Sequence, residues 1–167
     1  MIYYGRQDIN QDDIEAVRAV LASDFLTQGP AIERFEKTVA SYCGAKYAVA
    51  VCNATAALHI ACRAAGLEPG DVLWTAPNTF VASANCGLYC GSDVDFVDID
   101  AQTYNMSTQE LEKKLASSAK KPKVLVPVHF SGQPCDMEQI HRLAKDHDIT
   151  IVEDASHAIG AEYKGER

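Results

Sequence analysis

Val124-Leu125-Val126-Pro127-Val128, then Met137 to Lys145, then Ile149-Thr150-Ile151-Val152 ending on Glu153-Asp154, is the stretch on which the fold turns. A short apolar run leads through a segment of helical length into a second apolar run, and the second run stops on two acids. Apolar runs this short suit strands buried on both faces. The same alternation reaches back along the chain. Tyr47 to Cys52, Val72 to Trp74 and Asp95 to Val97 read as strands, with helices over Thr55 to Ala65, Thr79 to Tyr89 and Thr108 to Ser117. Ser107 ahead of Glu110 and Asp136 ahead of Gln139 mark helix starts, Gly66 closes a helix, and Pro69-Gly70-Asp71 is a turn. Strands and helices in alternation predict an α/β fold, a mostly parallel sheet covered by helices.

Two amphipathic helices precede this region. Ile14, Val17 and Leu21 form one stripe; Ile32, Phe35, Val39 and Tyr42 form the next, and Thr27-Gln28-Gly29-Pro30 turns between them. The expected organisation is N-terminal helices over residues 1–45 and a sheet region over 46–167.

The chain has 167 residues, 47% of them hydrophobic and 23% charged, as expected of a packed globular domain. A net charge of -8 argues against nucleic acid as a partner, because neutralising a phosphate backbone needs a basic face. No apolar stretch is long enough to span a membrane and Met1 to Gly5 does not open a signal peptide, so the expected location is cytoplasmic. The six cysteines form no C-x-x-C pair and sit mostly in apolar runs, which reads as reduced core thiols, and no histidine stands at a metal-ligand spacing from them. Asp93-Val94-Asp95 and Asp98-Ile99-Asp100 invite a metal-dependent glycosyltransferase reading, but polar positions alternating along a strand explain them better. A nicotinamide dehydrogenase lacks support, since no G-x-G-x-x-G follows the first strand.

In parallel sheets ligands bind beyond the carboxyl ends of strands, which selects Asn53 to Thr55, Ala76 to Phe80, His129 to Gln133 and Asp154 to His157. The free N–H groups of a helix start at Asn53-Ala54-Thr55 can hold a phosphate, although Asn53 is equally a plain N-cap. Phe80 could lie against a planar ring or belong to the core. His129 is either a positioning group or a satisfied histidine at a strand end. Asp154 is more telling, because an acid placed directly after a buried strand calls for a cationic partner. A protonated pyridine nitrogen would be such a partner.

Six segments in order carry a resemblance: Leu26 to Pro30 with Phe35-Glu36, Asn53 to Leu58, Ala76 to Asn85, Phe96 to Asp100, Val128 to Gln133, and Glu153 to Ala158. With these the chain resembles the DegT/DnrJ/EryC1/StrS sugar aminotransferases, which are fold-type I pyridoxal-phosphate enzymes, over essentially its whole length. The resemblance implies the N-terminal portion of the large, cofactor-binding domain of such a transferase. It implies that Asp154 pairs with the pyridine nitrogen of pyridoxal 5'-phosphate, that Phe80 stacks on the ring, and that Ala54 with Thr55 binds the phosphate. His157 would meet the phenolic side, where many relatives have Gln. Tyr4, Thr27 and Gln28 would lie near the entrance for a nucleotide sugar.

Asn53-Ala54-Thr55 departs from the Ser-Gly-Thr of many relatives and resembles the subgroup that aminates C4 of a UDP-linked 4-keto sugar for pseudaminic acid. The implied reaction takes an amino group from a donor such as glutamate, carries it as pyridoxamine phosphate and delivers it to the sugar, in a homodimer. The family's Schiff-base lysine follows a later strand, beyond Arg167, and Lys164 reads as an exposed turn. The 167 residues alone are therefore expected to be inactive. Two other roles stay open: a relative that deoxygenates sugars with histidine in place of that lysine, and a regulatory relative without catalysis.

Overall fold

The computed structural model describes residues 6–166. They fall into two compact units, Met1–Ala50 and Val51–Arg167.

The first unit is built on helix α1, Gln11–Leu21, and helix α2, Pro30–Tyr42. Asn10 caps α1 by accepting the Asp12 N–H at 2.7 Å, and Asp13 returns a bond to the Asn10 N–H at 2.9 Å. Pro30 occupies the first turn of α2, where its missing N–H costs nothing. The Ala50 N–H donates to Glu36 Oε1 at 2.8 Å and ties the following segment back to α2. The expected apolar stripes are present, yet no residue of either helix is buried, and Ile14, Val17, Leu21 and Phe35 face outward.

Tyr47 to Cys52, expected as a strand, does not form one. Its alternation is real, but a strand exists only through a neighbour's ladder bonds, and no strand among the described residues pairs with it. Tyr47 and Val49 consequently stand 76% and 78% exposed.

The second unit alternates as expected. Helix α3 (Ala54–Ala64) precedes strand β1 (Val72–Thr75), and helix α4 (Ala82–Tyr89) precedes β2 (Asp93–Phe96). Helix α5 (Thr108–Ser117) leads to β3 (Val124–Val126), and α6 (Met137–Asp146) to β4 (Thr150–Ile151). The capping signals act where the sequence puts them: Ser107 Oγ accepts the Glu110 N–H at 3.2 Å, and Gly66 takes φ +77° beyond α3. The four strands pair parallel in the order β2-β1-β3-β4.

Strand alternation divides the core in two. Leu73, Val124 and Val126 point to one face, where they pack with Leu58 and Cys62 of α3 and Cys86 of α4. Val72, Trp74 and Leu125 point to the other, against Leu111 and Leu115 of α5 and Ile140 and Leu143 of α6. On the first face a Cβ built on Gly87 would come within 3.1 Å of Leu73 Cβ and 3.0 Å of Val94 Cγ2, so α4 lies directly on the sheet. Thr75 is the polar member of β1, and its hydroxyl donates to the Val126 carbonyl at 2.8 Å.

β2 departs from the expectation of strands buried on both faces. It is one edge of the described sheet, and three of its four residues are exposed. Asp95 pairs with Lys114 at 2.6 Å and Asp93 with Lys120 at 3.5 Å, charges that discourage pairing with another chain.

Candidate active site

The chain passes from β1 outward to β2 and then returns to place β3 on the other side of β1, so the sheet order reverses between β1 and β3. Loops leaving the carboxyl ends of these two strands part in opposite directions and open a crevice. A cavity of about 190 Å³ occupies it.

Five residues singled out in the sequence line that cavity together: Ala54, Thr55, Phe80, Asp154 and His157. Leu58, Thr79, Ala82, Val128 and Ser156 complete the wall. Thr27 and Gln28 belong to the first unit, exposed on the loop between α1 and α2 with Gln28 at φ +52°. Tyr4 lies outside the described residues.

Each lining residue has a local cause. Asn53 starts α3 by accepting the Ala56 N–H at 2.9 Å, which leaves the N–H groups of Ala54 and Thr55 unused by any hydrogen bond among the described residues. Phe80 sits on the turn between β1 and α4 and is 72% exposed, an apolar ring offered to whatever enters. Asp154 continues β4 through a bridge to Val128: its N–H donates to the Pro127 carbonyl at 2.9 Å, and its carbonyl accepts the His129 N–H at 3.1 Å. The residue is 6% exposed. Oδ2 accepts the Ser83 hydroxyl at 2.6 Å, while Oδ1 accepts the Ser156 hydroxyl at 2.6 Å and the Ser156 N–H at 3.2 Å. Thr79 Oγ1 stands 2.7 Å from Ser83 Oγ. Ser156 lies within the Asp154 to His157 stretch, whereas Ser83, 71 residues from Asp154, is brought to it only by the fold.

His129 does not line the cavity. It is buried behind it, with Nε2 2.9 Å from Glu153 and Nδ1 accepting the Cys135 N–H at 3.1 Å. The hydrogen bond from His129 holds the Glu153 carboxyl below the usual carboxylate range, outweighing the opposite push of burial. The turn after His129 takes left-handed backbone at Ser131 and Gly132, and a Cβ on Gly132 would meet the His157 carbonyl at 3.0 Å.

A larger cleft of about 510 Å³ lies between the Asp100 to Gln109 loop and the turn at Tyr163 and Lys164. Its polar groups already serve the structure: Asp100 accepts the Gln102 and Thr103 N–H groups, Asn105 donates to the carbonyls of Gln133 and Pro134, and Tyr163 donates to Asp136. The smaller cavity is the better candidate because a buried acid, an exposed aromatic ring and a helix start converge on it.

Known proteins share this sequence and fold. The chain is 39% identical, over its full length, to the UDP-4-amino-4,6-dideoxy-N-acetyl-beta-L-altrosamine transaminase of Campylobacter jejuni and covers 44% of it. Helicobacter pylori PseC, an aminotransferase involved in the biosynthesis of pseudoaminic acid, superposes with a TM-score of 0.91 at 31% identity, over 99% of this chain and 44% of that one. The PMP-form of a candidate sugar aminotransferase from Streptococcus pneumoniae superposes at 0.90 with 30% identity, over 99% of this chain and 45% of that one. The chain thus spans less than half the length of these proteins. The family's sequence profile matches residues 7–167, and the chain belongs to the DegT/DnrJ/EryC1/StrS aminotransferase family.

Proposed function

We propose that the protein carrying this chain is a pyridoxal-phosphate aminotransferase that moves an amino group, with glutamate as donor, onto C4 of a UDP-linked 4-keto-6-deoxy amino sugar. The carrying observation is the meeting of Asp154, Phe80 and the Ala54–Thr55 helix start in one cavity at the reversal of the sheet. These residues fit the cofactor. The helix start presents two unused N–H groups and the Thr55 hydroxyl to a phosphate, Phe80 covers one face of a planar ring, and the buried Asp154 carboxylate meets a protonated ring nitrogen. His157 stands at the cavity wall for the phenolic side.

When bound, pyridoxal phosphate supplies an electron sink for the carbanion that forms as nitrogen is exchanged. The chain's part is to make that sink effective. Asp154 holds a proton on the ring nitrogen, the phosphate contacts fix the ring's place, and the apolar wall of Leu58, Phe80, Ala82 and Val128 keeps water from weakening the charge pair. A cavity of about 190 Å³ encloses part of a ligand, so the nucleotide sugar lies outside it. We assign Tyr4, Thr27 and Gln28 to that sugar, and we assign the protein to the cytoplasm as a homodimer serving pseudaminic acid or a related glycan. Among the described residues no helix is long and apolar enough to cross a membrane.

The test is to supply the whole protein with pyridoxal phosphate, glutamate and a UDP-linked 4-keto-6-deoxy amino sugar. Mass spectrometry should find the sugar with one amino group gained, together with 2-oxoglutarate. Absence of nitrogen transfer to any nucleotide-linked keto sugar would reject the reading.

A further inference from the structure

We propose that Ser83 and Ser156 are positioning residues that lock the Asp154 carboxylate in a single rotation, with Ser83 the post supplied by the fold and Ser156 the post supplied locally. The inference rests on the aminotransferase reading in one respect, that Asp154 faces a ring nitrogen.

A carboxylate turns readily about its last side-chain bond, because that torsion has broad minima. Here each oxygen is held by a different hydroxyl at 2.6 Å, Oδ2 by Ser83 and Oδ1 by Ser156. Turning the group breaks both bonds at once. Ser156 lies two residues beyond Asp154 and also donates its N–H at 3.2 Å, so it travels with the strand end. Ser83 is independent. It sits on α4, far away in sequence, and is fully buried. Its neighbours Ala82 and Cys86 belong to an apolar cluster, where a hydroxyl without a partner is costly.

The donor order follows from the acceptor. The Ser83 hydroxyl donates to Asp154, so the Ser83 oxygen accepts from the Thr79 hydroxyl at 2.7 Å, and Thr79 lines the cavity. Thr79, Ser83 and Asp154 form a run of bonds pointing one way, each strengthening the next. An ionised carboxylate has about four acceptor positions. Ser156 fills both positions on Oδ1 with its hydroxyl and N–H, and Ser83 fills one on Oδ2, which leaves one lone pair, on Oδ2, whose direction the serines set. That direction determines whether a ring N–H is met in the carboxylate plane, where acceptance is best.

The experiment compares Ser83→Ala, Ser83→Thr and Ser156→Ala in the whole protein by two readouts. The first is the crystal structure of the ligand-free variants, which reports the Asp154 torsion. The second is the ¹⁵N NMR signal of bound pyridoxal phosphate labelled at its ring nitrogen, which reports whether that nitrogen keeps its proton. Ser83→Ala should turn or split the carboxylate, move the ¹⁵N signal toward the unprotonated ring, and lower kcat about tenfold with the sugar's KM unchanged, the scale of one hydrogen bond to a charged group. Ser83→Thr should restore all three. An unmoved carboxylate and an unmoved ¹⁵N signal in Ser83→Ala would overturn the proposal. Should Ser83→Ala fail to fold, the exposed Ser156→Ala removes the other post, and a carboxylate left in place there overturns it equally. A wild-type protein that binds no pyridoxal phosphate would sink the aminotransferase reading, while the ligand-free torsions would still decide the clamp.

Discussion

His129 and Glu153 meet at 2.9 Å, and the histidine's other nitrogen accepts the Cys135 N–H at 3.1 Å, so the ring is held from both sides immediately behind Asp154. The hydrogen bond depresses the Glu153 carboxyl below its ordinary value of 4.5. A depressed acid stabilises the fold above the unfolded-state value, and that stability is lost as pH falls through the folded-state value. Acid unfolding followed by circular dichroism should therefore show wild type losing stability below about pH 4.5 more steeply than Glu153→Gln. Equal slopes would mean the pair contributes nothing.

Asp154→Asn keeps size and most of the shape while removing the charge. In the whole protein we expect turnover to fall by a factor of about 100 or more, with the melting temperature nearly unchanged, the scale seen when one preorganised electrostatic contact is lost. Near-normal turnover would make Asp154 a structural acid.

Leu125 is fully buried in the middle of β3, whereas Ile14 is exposed on α1. Leu125→Ala should cost about 2–5 kcal/mol and Ile14→Ala within about 0.5 kcal/mol, read by urea denaturation of this chain. A comparable loss from both would show that the α1 stripe is covered in solution.

Cys52 is exposed, while burial pushes the Cys135 thiol up to about 12. At pH 8 such a thiol is ionised in roughly one molecule in ten thousand. Iodoacetamide should label Cys52 first and leave Cys135 untouched until the fold opens, as mapped by mass spectrometry. Cys62, raised by the Cys86 sulfur 3.6 Å away and by burial, should also resist.

Among the described residues no lysine lines the cavity that holds Asp154, and Lys164 faces the other cleft in a pair with Glu138 at 2.5 Å. Mixing this chain with pyridoxal phosphate and reducing with borohydride should mark lysines weakly and without preference. Stoichiometric labelling of Lys164 would reverse that conclusion.

The parallel sheet was legible because its strands are short apolar runs between helices of ordinary length, and the capping residues Ser107 and Asp136 act where they stand in the sequence. Tyr47 to Cys52 misled because alternation reports which side chains could face a core, not whether a neighbouring strand is there to pair. β2 was read as more buried than it is, since its place at the edge depends on strand order, which residue pattern does not encode. In the site, Asp154 was visible as an acid at the end of an apolar run. Ser83 was not, because its role depends on α4 lying over the end of β4, and a serine two residues into a helix looks like any other.

The missing side chain at Gly87 has a use as a gauge. Gly87 stands one turn beyond Ser83 on the same face of α4, with Leu73 and Val94 against it at 3.1 and 3.0 Å. A methyl group there would require these side chains to give by a few tenths of an ångström, or the helix to lift by as much. That displacement would be felt at the 2.6 Å contact between Ser83 and Asp154. Where the helix itself lifts, the closeness of the hydrophobic layer and the aim of the buried acid change together.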